Sequence, residues 1–189
     1  IPHDYGFDGS GIIISVIDTG VDFNHPDLLG LGLDGKIIGG YDFVDNDETP
    51  QDSNGHGTQV AGIIASNGNL KGIAPNSKIL AYRVSEDGES VSSNLIIKAI
   101  EKSISDNADI INISLGINQT NTKIDQIVTK AIQNNIFVVT AAGNFGPEPN
   151  TIGSPGLNPN AITVGSTFNN VSSSLVSTFK IEDQQFNIF

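Results

Sequence analysis

Residues Gly11-Ile12-Ile13-Ile14-Ser15-Val16-Ile17-Asp18 indicate the fold class most clearly. It is apolar almost throughout, as strands of a parallel sheet are when helices cover both faces of that sheet. Three later segments have the same character and strand length, at 78–84, 109–113 and 136–140. The sequence therefore predicts buried parallel strands distributed along the chain.

Amphipathic segments alternate with these strands. Residues 93–105 and 121–134 each place apolar side chains at helical spacing with polar residues on the other face, and residues 57–66 predict a further helix. Strand and helix in alternation imply right-handed crossovers between parallel strands. We therefore expect an α/β fold, a three-layer sandwich whose mainly parallel central sheet is flanked by helices.

Composition limits the classes of function. The chain has 189 residues and a net charge of −12, so nucleic acid and anionic membrane surfaces would be repelled and are not expected as partners. No apolar run approaches the roughly 20 residues that a membrane-spanning helix needs. Cysteine is absent, so no disulfide contributes to stability. We expect one domain, or most of one.

Polar residues stand where sites of open α/β sheets form, beyond the carboxyl ends of strands. Asp18 ends the first predicted strand, Ser114 follows the third, Asn144 follows the fourth, and His56 opens the helix at 57–66. A serine nucleophile needs a histidine to take its proton and a buried carboxylate to orient that histidine. An amide donor such as Asn144 suits the oxyanion that forms on the substrate.

Six motifs in this chain resemble, in order and spacing, the successive signatures of the subtilases. They are Asp18-Thr19-Gly20-Val21-Asp22, His25-Pro26-Asp27-Leu28, His56-Gly57-Thr58-Gln59-Val60-Ala61-Gly62, Gly72-Ile73-Ala74-Pro75, Asn112-Ile113-Ser114-Leu115-Gly116 and Ala141-Ala142-Gly143-Asn144. The resemblance extends from about Gly6 to Gly165. It implies a subtilisin-like fold and a serine endopeptidase that hydrolyses peptide bonds through an acyl-enzyme.

The resemblance also implies residue roles. Asp18 matches the triad aspartate, His56 the triad histidine and Asn144 the oxyanion donor. Substrate-binding positions are implied at Ser114, Leu115, Gly116, Ala142 and Gly143, where the segment from Ser114 would pair with substrate backbone as an added strand. Polypeptide substrates and the protein's own propeptide are the partners implied, and secretion to the outside of the cell or to the cell envelope is the localisation.

Two departures from the family pattern stand out. Gln59 replaces a usual histidine, a change we expect to be tolerated because that side chain is not a triad member. The segment Gly-Thr-Ser-x-Ala-x-Pro, which carries the nucleophile, is absent. We expect the serine beyond Phe189, so that 1–189 is a partial peptidase domain that is inactive alone. Within it, 1–167 belongs to the domain and 168–189 begins a downstream segment or insertion.

Two rival interpretations stay open at this stage. A pseudopeptidase or peptide-binding module would keep the cleft without the nucleophile, although such a binder has little need of both Asp18 and His56. An acidic calcium-binding stability domain would show Ca²⁺-dependent melting without a serine-reactive site.

The loop from Tyr41 to Asp52 carries a dense set of oxygen donors. Hard oxygen ligands of this kind suit Ca²⁺, although a solvated acidic loop has the same composition. The stretch from Gly40 to His56 closely resembles thermitase-like subtilases, in which the matching loop holds calcium. This resemblance implies calcium ligands at Asp42, Asp47, Thr49 and Gln51, with Asp45 nearby.

Overall fold

The computed structural model describes residues 2–28, 30–32 and 34–166, together with the backbone of two strands at 177–181 and 184–188. These two strands, β7 (Ser177–Ile181) and β8 (Gln184–Ile188), form an antiparallel pair separate from the main sheet. The rest of the predicted downstream segment, 168–189, lies outside the described residues.

Six parallel strands form the central sheet of the described chain. They are β1 (Ile13–Asp18), β2 (Ile37–Asp42), β3 (Lys78–Arg83), β4 (Ile110–Ile113), β5 (Phe137–Ala141) and β6 (Ile162–Val164). Their spatial order is β2-β3-β1-β4-β5-β6. The strand that ends in Asp18 therefore lies inside the sheet, between β3 and β4.

Three helices pack on this sheet: α1 (His56–Ala65), α2 (Ser93–Ser105) and α3 (Thr122–Gln133). The start of α3 follows from a local cap, because Asn121 Oδ1 accepts hydrogen bonds from the amides of Lys123 and Ile124. The predicted α/β sandwich is confirmed, and the bounds of α2 agree with the prediction.

The core is divided by the sheet into two clusters. Alternate residues of β1 point to opposite faces, so Ile14 and Val16 join Ala61 and Ala65 of α1, whereas Ile17 packs with the side that holds α2 and α3. Each face buries its own apolar layer. This arrangement fixes α1, and with it His56, on one side of the interior strand β1.

Strand β2 runs through two glycines, Gly39 and Gly40, before it ends at Asp42. Gly40 has φ +150°, and a Cβ there would lie 1.8 Å from the carbonyl oxygen of Ala81 on β3. Glycine is thus required for the close approach of the two strands. This close approach carries Asp42 to the end of β2, directly opposite Arg83.

Candidate active site

Asp18 and His56, the two residues predicted to work as a pair, are in direct contact. Asp18 ends β1 with 1% of its surface exposed, and its Oδ1 lies 2.7 Å from His56 Nδ1. The same oxygen accepts the Thr19 amide at 2.7 Å. Because an ionised carboxylate only accepts hydrogen bonds, the proton of a neutral His56 sits on Nδ1 and leaves Nε2 as an acceptor.

The electrostatics of the pair favour a protonated imidazole. The hydrogen bond that His56 donates to Asp18 raises the pKa of His56 above its ordinary value. Burial lowers this pKa, and the negative charges of Asp18 and Asp52 raise it further. The His56 side chain is 46% exposed, so its free edge is open to an approaching group. A base of this kind can take a proton and hold it while a charged intermediate forms.

The backbone at the start of α1 fits closely against the end of β1. Gly57 is buried, and a Cβ at this position would lie 2.1 Å from the carbonyl oxygen of Gly20. Its amide donates to Thr19 Oγ1 at 2.9 Å. Only glycine permits this approach, which places His56 within reach of Asp18.

Asp18 retains one unused acceptor. Its Oδ2 is buried and has no hydrogen-bond partner among the described residues. A buried carboxylate oxygen without a donor is costly, so a water molecule or another donor is expected to complete this site.

The other predicted site residues lie beyond neighbouring strands. Ser114 follows β4, where its Oγ accepts from Asn112 Nδ2 at 2.8 Å.

The second segment lies beyond β5. There the Ala142 amide donates to the carbonyl of Val164 on β6 at 2.8 Å, Gly143 adopts φ +93°, and Asn144 is exposed. The order of the strands thus brings both segments to the edge of the sheet at which β1 ends in Asp18. Their roles in binding and in oxyanion stabilisation stay predictions.

The acidic loop after β2 is organised around Arg83. The Arg83 Nη1 atom lies 2.7 Å from both Asp42 Oδ2 and Asp45 Oδ2. Asp42 and Arg83 are both buried, whereas Asp45 is largely exposed. Asp42 Oδ1 accepts the amides of Val44 and Asp45. The loop conformation is therefore set by protein donors.

The remaining predicted calcium ligands occupy the second half of this loop. Asp47 Oδ1 accepts the Thr49 amide at 2.7 Å. Gln51 Nε2 donates to Asp22 at 3.0 Å, while Gln51 Oε1 is buried without a partner in the described part of the chain. Across residues 4–28, 30–32 and 34–166, no three acidic, histidine or cysteine side chains are grouped as a metal site would need.

Two residues that organise these sites, Arg83 and Asp52, were not predicted from the sequence. Arg83 is a buried cation at the end of an apolar strand in an acidic chain, a signal that an ion pair is needed. Asp52 lies three residues before Gly55, the N-cap of α1, so no N-cap pattern in the sequence indicates it. The Asp52 carboxylate accepts the amides of Gly55 and Thr58, the latter in the first turn of α1.

Known proteins of one family are similar to this chain in sequence and in fold. The model of the Subtilase family matches residues 9–187. Thermitase of Thermoactinomyces vulgaris is 42% identical over 177 residues, which cover 91% of this chain and 61% of thermitase. The minor extracellular protease Vpr of Bacillus subtilis (strain 168) is 41% identical over 178 residues, covering 87% of this chain and 21% of Vpr.

Solved structures agree with the sequence matches. The crystal structure of a cold-adapted subtilisin-like serine proteinase has a TM-score of 0.74 and 40% identity, covering 86% of this chain and 57% of that one. The chain therefore spans between 21% and 61% of the length of these relatives. Among the helices of the described residues, none has the length and apolar character needed to cross a membrane.

Proposed function

The chain belongs to the subtilase family, and from this premise we propose that it forms part of a serine endopeptidase that hydrolyses polypeptides through an acyl-enzyme. The observation that carries the proposal is the 2.7 Å contact between His56 Nδ1 and the buried Asp18 carboxylate. A helix-capping histidine or a lone strand-end carboxylate would not need this contact.

In the proposed reaction, His56 Nε2 accepts the proton of the serine hydroxyl as its oxygen attacks the substrate carbonyl. Asp18 keeps the imidazole in the tautomer that makes this transfer possible and stabilises the imidazolium that results. Asn144 donates to the oxyanion, and His56 then returns the proton to the leaving amine. The segment Ser114–Gly116, with Ala142 and Gly143, holds the substrate backbone.

We further propose that the nucleophilic serine is supplied by a segment outside residues 1–189. The sequence supports this view because none of its serines stands in the Gly-Thr-Ser-x-Ala-x-Pro context. In the described part of the chain, no serine hydroxyl hydrogen-bonds to the His56 ring. On this proposal, the 189 residues alone do not hydrolyse peptides by a serine mechanism.

The test is covalent labelling of the full-length gene product with a fluorophosphonate probe, followed by mass mapping of the adduct. The proposal predicts an adduct on a serine outside this segment, and predicts that His56→Ala abolishes it. Glu86→Gln, an exposed change in the loop after β3, is the matched control and should label like wild type. Folded protein without any adduct would favour a pseudopeptidase or peptide-binding module.

A second proposal concerns calcium. We propose that Ca²⁺ binds the loop after β2 through Asp47, Thr49 and Gln51, with Asp42 and Asp45 shared between the ion and Arg83. The buried, unpartnered Gln51 Oε1 fits such an ion, since a hard oxygen donor without a hydrogen bond is what Ca²⁺ would satisfy. When bound, the ion would supply structural stability by crosslinking the loop.

Calcium titration with thermal unfolding tests this second proposal. Binding to the native state alone stabilises by about 2.7 kcal/mol when free Ca²⁺ is about 100 times Kd, so the melting temperature should rise. Asp47→Asn should remove the rise, whereas Asp34→Asn, in the exposed turn before β2, should retain it. A melting temperature independent of Ca²⁺ would contradict the proposal and support the alternative, a solvated acidic loop that is held by Arg83.

We also propose that the protein acts outside the cell. The printed name of the relative Vpr describes an extracellular protease, and this supports the same setting here. A propeptide is the further partner proposed for this domain. Detection of the protein in culture supernatant, with the cell fraction as control, tests the localisation.

A further inference from the structure

Asp52 joins separate parts of the candidate site through five hydrogen bonds. Its Oδ1 accepts from Thr19 Oγ1 and from the amides of Asn54 and Gly55, each at 2.9 Å. Its Oδ2 accepts from the Thr58 amide at 2.9 Å and from the Thr58 hydroxyl at 2.5 Å. One carboxylate therefore binds the residue after β1, the loop that precedes α1 and the first turn of α1.

Thr19 closes this set of bonds into a ring. Its hydroxyl donates to Asp52 Oδ1 and accepts the Gly57 amide at 2.9 Å. Thr19 directly follows Asp18, and Gly57 directly follows His56. The two residues of the pair are thus each one peptide unit away from groups that this ring holds together.

His56 depends on such support because its own side chain is only half buried. Little packing restrains an exposed ring, so its direction follows from the backbone that carries it and from the bond to Asp18. A shift of the first turn of α1 relative to β1 would weaken or break that bond, since hydrogen bonds of this kind are typically no longer than about 3.2 Å.

We propose that Asp52 is the positioning residue for His56: it fixes the start of α1 against the end of β1 so that His56 Nδ1 meets Asp18 Oδ1. Its importance for catalysis rests on the proposed peptidase function. The positioning itself is a property of the folded chain. The competing interpretation is that Asp52 only caps α1 and contributes stability without any effect on the pair.

Asp52→Asn is the informative substitution. An asparagine offers one acceptor oxygen, and its NH₂ group would face donors on the other side, so the bonds at one carboxylate oxygen are lost. We expect the far-downfield proton signal of His56 Nδ1 to disappear in NMR spectra of the variant chain. We also expect the Gly57 amide to exchange its hydrogen roughly ten to a hundred times faster, the size expected when a buried donor loses a well-placed partner.

Asp27→Asn is the matched control. Asp27 is a buried carboxylate that also accepts two backbone amides, those of Asn69 and Leu70, in the loop beyond the end of α1. Its loss should lower stability while the His56 Nδ1 signal and the Gly57 exchange rate stay as in wild type. If Asp52→Asn behaves in the same way as this control, Asp52 is only a helix cap and the inference is wrong.

Thr19→Val provides a second variant in case Asp52→Asn does not fold. It removes the hydroxyl link but leaves the bonds from Asn54, Gly55 and Thr58 to Asp52. Loss of the His56 Nδ1 signal in this variant supports the inference, and an unchanged signal overturns it. These readouts require no hydrolysis, so they stand whether or not the fluorophosphonate experiment succeeds.

Discussion

Replacing Gly57 by alanine tests whether the close approach of α1 to β1 creates the pair of Asp18 and His56. The added Cβ would lie 2.1 Å from the Gly20 carbonyl oxygen, short of the 3.0 Å that real Cβ atoms keep. The first turn of α1 and the Gly20 carbonyl must therefore separate by about 0.9 Å. A shift of that size along the bond between His56 and Asp18 would take their 2.7 Å contact past about 3.2 Å, the upper end of the usual hydrogen-bond range.

The size of the effect follows from two opposing contributions. Overpacking against a backbone oxygen that cannot rotate away costs about 3 kcal/mol, at the upper end of the usual range. Alanine gains at most about 1 kcal/mol over glycine in helix propensity. The free energy of unfolding should therefore fall by about 2 kcal/mol. For a domain of this size, the melting temperature should then fall by roughly 4–8 °C.

Gly62→Ala is the control for this experiment. Gly62 lies in the same helix, and nothing lies within 4 Å of a Cβ built there, so only the propensity gain of about 1 kcal/mol applies. The melting temperature, measured by circular dichroism, should therefore fall for Gly57→Ala and rise for Gly62→Ala. A Gly57→Ala chain that melts at or above the wild-type temperature, with the His56 Nδ1 proton signal intact, would show that the close approach of α1 to β1 does not create the pair.

Two further predictions follow from the pair and from the core. Asp18→Asn should lower the pKa of His56, measured by NMR titration against the wild-type chain, because the hydrogen bond and the charge that raise this pKa are both lost. In wild type, the raised pKa of His56 means that its protonation stabilises the fold. This contribution is fully present below pH 6.5, the ordinary pKa, and it is lost as the pH rises through the folded-state pKa. The variant should therefore lose this pH dependence of stability. Ile111 on β4 is fully buried, so Ile111→Ala should lower the free energy of unfolding, measured by urea denaturation, by about 2–5 kcal/mol. Ile63 on α1 is exposed, so Ile63→Ala should leave this free energy within about 0.5 kcal/mol of wild type.

Local patterns were enough to predict most elements of the fold. Buried strands and amphipathic helices leave a periodic record, and α2 therefore begins and ends where the spacing predicts. Strand β6 escaped prediction because it has only three residues and exposes Ile162 and Val164, so it lacks the apolar run that marks an interior strand.

The family of the chain and the residue types of the candidate site can be predicted from the sequence, since ordered motifs such as Asp18-Thr19-Gly20 and His56-Gly57-Thr58 are local and can be recognised without coordinates. Which of these groups are in contact depends on the folded chain. Contacts between Asp18 and His56, Arg83 and Asp42, or Asp52 and Thr19 join residues 38, 41 and 33 positions apart. Periodicity carries no information about such pairs, because they depend on strand order, on register and on the few places where glycine lets two backbones touch.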